Sequence, residues 1–206
     1  VKGDVSEEDV EMIGAWGRFP LKTGGYSCQL MLGRSLLANE DDTLAKKELN
    51  ALTHTSNMNW LLTMMLEDWL DGSIVCGDST IALSWSTSTK KRLSLFHRNR
   101  VVQIQRGTSP DQLYHVISEE NAADIGTRPS QTSLSDVGPN SPWEKGKKWM
   151  RGEIEDAVKN GILTPVSALR IKDEQEEDFK KGFVYEKQPE IITKGHPVMI
   201  TNRVEK

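Results

Sequence analysis

The chain lacks the residues and runs that mark several classes of protein. Only two cysteines, Cys28 and Cys76, occur among 206 residues, and neither has a Cys/His partner at metal-binding spacing. A zinc finger or disulfide framework is therefore not expected, and a reducing compartment is. No run of about eighteen or more apolar residues is present, so we expect no membrane span. The N-terminus, from Val1, has neither an initiator Met nor an apolar signal core, and we interpret it as a cut end.

Apolar residues and negative charge are also modest. Hydrophobic residues make up 36% of the chain, which predicts a packed core for roughly two-thirds of it. The net charge of -4 does not itself indicate nucleic-acid binding. The stretch 79–110, however, holds no acidic residue and six basic ones: Lys90, Lys91, Arg92, Arg98, Arg100 and Arg106. Such a stretch is either a phosphate-contacting surface or an ordinary solvated helix face.

The hydrophobic pattern predicts a mixed α/β fold. Two strands, 12–19 and 26–32, flank a turn rich in Pro and Gly. A long helix over 43–70 carries a periodic apolar face, on which Trp60 and Trp69 are predicted to be core residues, as is Trp85 further along. The pattern then predicts a strand at 73–77, a helix capped by Ser79 or Thr80, a helix (or partly a strand) over 90–105, a strand at 113–117 and a short helix over 120–127.

Composition changes after residue 128. We predict a main domain over 1–128, a linker over 129–142 and a helical and extended connector over 143–206. One amphipathic helix is predicted over 143–158, with Trp143 and Trp149 anchoring it to the domain. The acidic run at 173–178 and the lack of periodicity beyond it predict a loosely packed C-terminal extension.

Three carboxylates stand at positions where a sheet and its helices should meet. Glu48 begins the long helix, Asp78 ends a buried strand, and Asp124 follows small alanines that allow a close approach. Carboxylates gathered on separate elements repel one another, and Mg²⁺ or Mn²⁺ relieves the repulsion. Taken singly, each has a simpler explanation: a charge favoured by the helix dipole, an N-cap and a surface residue. His115 is interpreted as structural, and His54 is unexplained.

Four motifs together resemble the ribonuclease H domains of BEL/Pao-type retrotransposon polyproteins. They are the strings 47–52 (KELNAL), 77–85 (GDSTIALSW), 96–104 (FHRNRVVQI) and 114–128 (YHVISEENAADIGTR). Their order and spacing agree with that family over about residues 26–151. The stretch from Pro142 to Gly195 is similar to the region of such polyproteins that leads towards the integrase.

The resemblance implies a ribonuclease H-like mixed sheet flanked by helices, with four acidic site residues. Three of them match Glu48, Asp78 and Asp124. The fourth belongs to a first-strand motif that Asp4-Val5-Ser6 resembles, with Val5 in place of a small residue. Because three residues precede Asp4, we expect that strand to be truncated. The implied activity is cleavage of the RNA strand of RNA–DNA hybrids with two Mg²⁺ or Mn²⁺ ions.

The resemblance also implies partners and a location. The partners are the hybrid, which the basic stretch from Lys90 to Arg106 would contact, and the reverse transcriptase and integrase regions of the same polyprotein. No membrane partner is expected, and the location is cytoplasmic, with virus-like particles as one setting. Two alternatives stay open: a non-catalytic retrotransposon-derived remnant that keeps the fold as a nucleic-acid-binding or structural module, and a pure linker segment. Whether the chain is an enzyme is not decided by the sequence.

Overall fold

A computed structural model of the protein describes residues 10–37, 42–88, 93–126 and 133–169. The described strands are β1 (Val10–Pro20), β2 (Tyr26–Leu37), β3 (Val75–Gly77), β4 (Leu113–Val116) and β5 (Leu163–Pro165). The helices are α1 (Leu44–Met65), α2 (Thr80–Thr87), α3 (Leu95–Gly107), α4 (Leu134–Val137), α5 (Pro142–Lys145) and α6 (Ile154–Lys159). Short 3-10 turns are Pro110–Gln112, Ser118–Glu120, Ala122–Gly126, Lys148–Arg151 and Val166–Ala168. The predicted mixed α/β class is confirmed. The predictions for Asp4, for Lys90, Lys91 and Arg92, and for 173–206 fall outside the described residues.

The predicted hairpin is present and longer than expected. Strands β1 and β2 pair antiparallel along their full length, with a register shift between Ala15 and Trp16. The turn between them needs two glycines, since Gly24 and Gly25 have φ values of 90° and 72°, which side chains disfavour. The hairpin thereby forms a sheet of its own.

A second sheet contains three strands in the order β3-β4-β5. Strand β3 pairs parallel with β4, and helices α2 and α3 make the crossover between them. Strand β5 pairs antiparallel with β4. The sequence did not reveal β5, because three residues are too few to show alternation. Among the described strands, nothing pairs with the second edge of β1 or of β3.

The main core lies where α1, α2 and α3 pack with the second sheet. Its fully enclosed side chains include Leu49, Leu83, Ile104 and Leu113. A smaller cluster joins β4 to the C-terminal elements through Val116, Ala157 and Leu163. The segment predicted to be a connector therefore packs on the domain as far as residue 169. Val166 belongs to the main core, and Leu169 packs against that core.

The apolar face of α1 is covered along only part of its length. Helix α1 ends at Met65 rather than at residue 70, and a turn follows. The prediction that Trp60 and Trp69 are core residues is wrong, because these side chains are 54% and 85% exposed. Trp85 is buried as predicted. A helical period shows which residues share a face of the helix. It does not show along which part of its length other elements pack against that face.

The region after residue 140 contains several short elements instead of the one helix predicted over 143–158. Gly146, with φ at 68°, ends α5, and a 3-10 turn separates α5 from α6. The predicted anchoring by tryptophans is confirmed. The Trp16 Nε1 donates to the Trp143 carbonyl at 2.8 Å, and the two indoles meet edge to face with centroids 5.5 Å apart. No helix among the described residues is long and apolar enough to span a bilayer.

Gly107 allows α3 to approach α1 closely, and its replacement should destabilise the fold. A Cβ at Gly107 would lie 2.7 Å from the Ser56 carbonyl oxygen, and Ser56 is fixed by hydrogen bonds to the Ile104 carbonyl and to Thr108. We expect Gly107→Ala to lower the free energy of unfolding by about 1–3 kcal/mol, measured by urea denaturation. Gly72→Ala is the matched control, since nothing lies within 4 Å of its Cβ position. Equal stability of the two variants would contradict the close approach.

Candidate active site

One edge of the second sheet gathers the acidic residues that the sequence singled out. Strands β3 and β4 are parallel, so both chains leave the sheet at the same edge. Asp78 follows β3 directly, and the chain after β4 leads through two 3-10 turns to Asp124. The carboxyl ends of parallel strands are where open α/β sheets bind ligands. This edge of the second sheet is therefore the candidate site for a ligand or a catalytic group.

The position of Asp78 is fixed from both sides. Ser79 caps α2, and its hydroxyl oxygen accepts the Ala82 N–H at 3.2 Å. The His115 Nε2 lies 3.1 Å from the Asp78 carbonyl oxygen, so that nitrogen carries the proton and donates it. His115 stands opposite Gly77 in the parallel register. His115 therefore makes a structural contact, which holds the turn carrying Asp78.

Glu48 approaches the same turn from the second turn of α1. Burial raises the pKa of the Glu48 carboxyl above its ordinary value, a hydrogen bond from the Ser79 side chain partly offsets this, and the charge of Asp78 raises the pKa further. Glu48 and Asp78 are thus an interacting pair on two different elements. The sequence did not reveal Ser79 as the donor to Glu48, although its place directly after Asp78 was the available signal.

Asp124 lies in a 3-10 turn, where a short α-helix was predicted. Its Oδ1 accepts from the Asn121 Nδ2 at 3.3 Å, and the Asn121 Oδ1 accepts the Ala123 N–H at 3.1 Å. Glu48, Asp78 and Asp124 all line one cavity. Within the described ranges, however, no three His, Cys, Asp or Glu side chains are grouped closely enough to hold one metal ion. The charge of Asp78 therefore acts on Glu48, and Asp124 lines the same cavity.

The cavity occupies about 980 Å³ between the two sheets. The β1 residues from Met12 to Arg18 line it on one side, and the β3 residues and Asp78 line it on the other. One stripe of α1 also lines it, including Glu48, Ala51, Thr55 and Leu62, and so do Asn121, Asp124 and Trp149. The cavity thus lies between β1 and β3, each of which has one edge without a described partner.

The described basic residues differ in their surroundings. Arg98 and Arg106 are exposed on α3, two turns apart and about 12 Å along its axis. Arg100 is half-buried, donates through Nε to the Asn50 Oδ1 at 2.7 Å, and covers the Phe96 ring at 4.9 Å. Its contacts are therefore structural, whereas Arg98 and Arg106 are accessible to a phosphate.

Other reactive side chains give no alternative catalytic centre among the described residues. Cys76 lines the cavity, but burial raises the pKa of its thiol to about 12, so it is a poor nucleophile. His97 is buried, hydrogen-bonded to Ser94 at 2.6 Å and packed edge-on against Trp85. Burial lowers the pKa of His54, as do the charges of Arg34 and Arg100. Nothing in its contacts explains His54.

The raised pKa of Glu48 predicts a pH-dependent stability. An acid whose folded pKa lies above its unfolded value stabilises the fold at low pH, and that contribution is lost as the pH rises through the folded pKa. We therefore expect Glu48→Gln to be more stable than the natural chain at pH 7 and nearly equal to it below pH 4.5, the ordinary value for this group. Urea denaturation between pH 4 and pH 7 measures this. Equal stability of the two chains across the range would mean that Glu48 is not desolvated.

Comparisons of the chain with protein-family models, with curated proteins and with solved structures found no match.

Proposed function

We propose that the chain is a ribonuclease H domain of a BEL/Pao-type retroelement, joined to the start of the segment leading towards the integrase. Its activity would be metal-dependent endonucleolytic cleavage of the RNA strand in RNA–DNA hybrids. The observation that carries the proposal is the pairing of Glu48 with Asp78, with Asp124 in the same cavity wall. The four sequence motifs supply these three residues independently of their placement.

The donor set of the Glu48–Asp78 pair fits one divalent cation. A desolvated carboxylate beside a second one is destabilised when both are charged, and a cation relieves that repulsion. Mg²⁺ typically takes one or two carboxylates and completes its shell with waters and substrate phosphates. A second ion would need a further carboxylate, for which Asp124 and Asp4 are the candidates. When bound, such ions supply an activated water and stabilise the leaving oxygen.

The protein's own groups prepare this pair. The Ser79 side chain hydrogen-bonds to Glu48 and favours its charged form, which is the form that binds a cation. His115 fixes the backbone that carries Asp78. Asn121 orients Asp124 through its amide. No Ser, Cys or His nucleophile is required by this arrangement, because water is the attacking group.

The space between the two sheets is consistent with the proposed fold. An additional strand between β1 and β3 would pair with the free edge of each and join the hairpin to the second sheet, giving one sheet of six strands. The ribonuclease H-like fold that the resemblance implies has five strands in one sheet, with an acidic residue on the first, so β5 would be an additional edge strand. The resemblance assigns that strand to the segment carrying Asp4, which lies outside the described residues.

Substrate contacts would come from α3. Arg98 and Arg106 are exposed on one face of the helix, and phosphate contacts of this kind position a duplex without reading its sequence. Lys90, Lys91 and Arg92 would extend this surface. Selection of RNA over DNA would depend on the 2′-hydroxyl and on duplex shape. In the natural polyprotein the domain would lie between reverse transcriptase and integrase, in the cytoplasm or in virus-like particles.

The test is cleavage of a labelled RNA–DNA hybrid in the presence of Mg²⁺ or Mn²⁺, with duplex DNA and duplex RNA as comparison substrates. Cleavage of the RNA strand of the hybrid alone, abolished by chelation, supports the proposal. Hybrid binding without cleavage would favour the non-catalytic alternative. Cleavage of all three duplexes would point to a nuclease of another specificity.

A further inference from the structure

A segment predicted to be part of the linker and connector instead joins the β1–β2 hairpin to the loop that carries Asp124. Residues 141–153, here called the strap, contact the hairpin at several places. Trp143 receives the indole N–H of Trp16. Gln29 donates to Glu144 at 2.7 Å and accepts from Lys145 at 2.8 Å. Arg18 donates to the Gly152 carbonyl.

The same strap also contacts residues 117–126, here called the acidic loop, which include Asp124. The Lys147 Nζ donates to the Glu119 carbonyl at 2.9 Å, and the Trp149 Nε1 donates to the Glu120 carbonyl at 3.0 Å. The indole of Trp149 also lines the cavity with Asp124. After the strap, α6 and β5 return the chain to the second sheet, where Thr164 pairs with His115. The strap thus contacts the hairpin and the acidic loop directly. The chain that follows it forms β5, which pairs with β4.

The acidic loop depends on contacts from outside itself. Between β4 and residue 126 it consists of two short 3-10 turns, a helix type with poor hydrogen-bond geometry that is stable only in short pieces. Its own side-chain bonds join Asn121 to Ala123 and Asp124. They fix the local turn, and the two strap donors join that turn to the strap, while Ala122–Gly126 also pack against β1. Orientation of a ligand by such outer contacts commonly changes metal affinity by about 10–100-fold.

We propose that the strap positions the acidic loop, which carries Asp124, at the cavity. Trp149 is the positioning residue, and it acts through the Glu120 carbonyl. The position of the loop follows from the described contacts alone, and its use for a cation rests on the proposed function. The C-terminal segment is thereby part of the site and not a spacer after it.

The test compares Trp149→Phe with Trp143→Phe in the full chain. Both variants exchange an indole for a phenyl ring, but only the first removes a hydrogen bond to the acidic loop, because Trp143 uses its backbone carbonyl. Hydrogen exchange of the amides from Asn121 to Ile125 is measured without cation or nucleic acid. We expect about fivefold faster exchange in Trp149→Phe and no such change in Trp143→Phe. Unchanged exchange in Trp149→Phe, or an equal increase in both variants, would overturn the proposal.

Mn²⁺ binding by the same variants separates this inference from the proposed function. We expect the affinity of Trp149→Phe to fall about tenfold while that of Trp143→Phe is retained. Absence of Mn²⁺ binding by the natural chain would count against the ribonuclease proposal. The hydrogen-exchange result would then decide by itself whether the strap positions the acidic loop. A fall in affinity without faster exchange would overturn positioning through the loop.

Discussion

Replacing Asp78 by Asn should reduce cleavage of an RNA–DNA hybrid at least about a hundredfold, since loss of a group that merely supports a metal ligand already costs 10–100-fold. The change keeps the shape of the side chain and removes the charge beside Glu48. The fold should survive, because the His115 contact uses the Asp78 backbone carbonyl. The measurement is single-turnover cleavage with saturating Mg²⁺, using the full chain.

Asp111→Asn is the matched control for that experiment. Asp111 carries the same carboxylate but lies exposed in the 3-10 turn before β4, where a hydrogen bond from Ser109 lowers its pKa. It does not line the cavity. We expect its cleavage rate to match that of the natural chain. Retention of activity by Asp78→Asn would remove the ribonuclease proposal, and equal losses in the two variants would indicate a non-specific effect of charge.

Deleting residues 1–9 should lower both stability and cleavage. On the proposed function this segment supplies the first strand, with Asp4, and a strand between β1 and β3 would provide partners for two strand edges that lack a described one. We expect the Tm to fall by several degrees and hybrid cleavage to fall at least about tenfold. Thermal denaturation and the cleavage assay are run on both lengths of chain.

A variant with residues 1–9 in scrambled order controls for length alone. It preserves charge and mass but changes which side chains share a face of a strand. Equal losses in the deleted and the scrambled chain support a strand formed by this segment. Full cleavage by the deleted chain would show that the strand is not needed for activity, and an unchanged Tm would show that the segment does not pair with β1 or β3.

The sequence predicted the elements that have strong local signals. The alternating hairpin, the glycine-containing turn and the Ser79 cap were all readable because each depends on neighbouring residues. Strand β5 was missed because its three residues are recognisable only by their partner β4. The exposure of Trp69 was missed for a related reason, since burial depends on what lies opposite a helix face and not on the face itself.

The candidate site shows the same limit. Motifs identified Glu48, Asp78 and Asp124, and all three line one cavity. The pairing of Glu48 with Asp78 could not be read from the sequence, because it depends on how α1 packs beside β3. Nor could the hydrogen bond from Trp149 to Glu120, since the two residues are 29 positions apart and belong to segments predicted to be separate.

The long separation between the strap and the hairpin has a consequence for synthesis of the protein. The Trp16–Trp143 contact joins residues 127 positions apart, and β5 reaches β4 only when the chain has been made beyond Pro165. Ribosomes add about 5–20 residues per second, whereas a hairpin closes within microseconds. The β1–β2 ribbon can therefore form seconds before the strap that packs on it has been made. During that interval the Trp16 indole, which later meets the Trp143 ring, is open to contact with other nascent chains, so the yield of folded protein should fall with the density of ribosomes on the message.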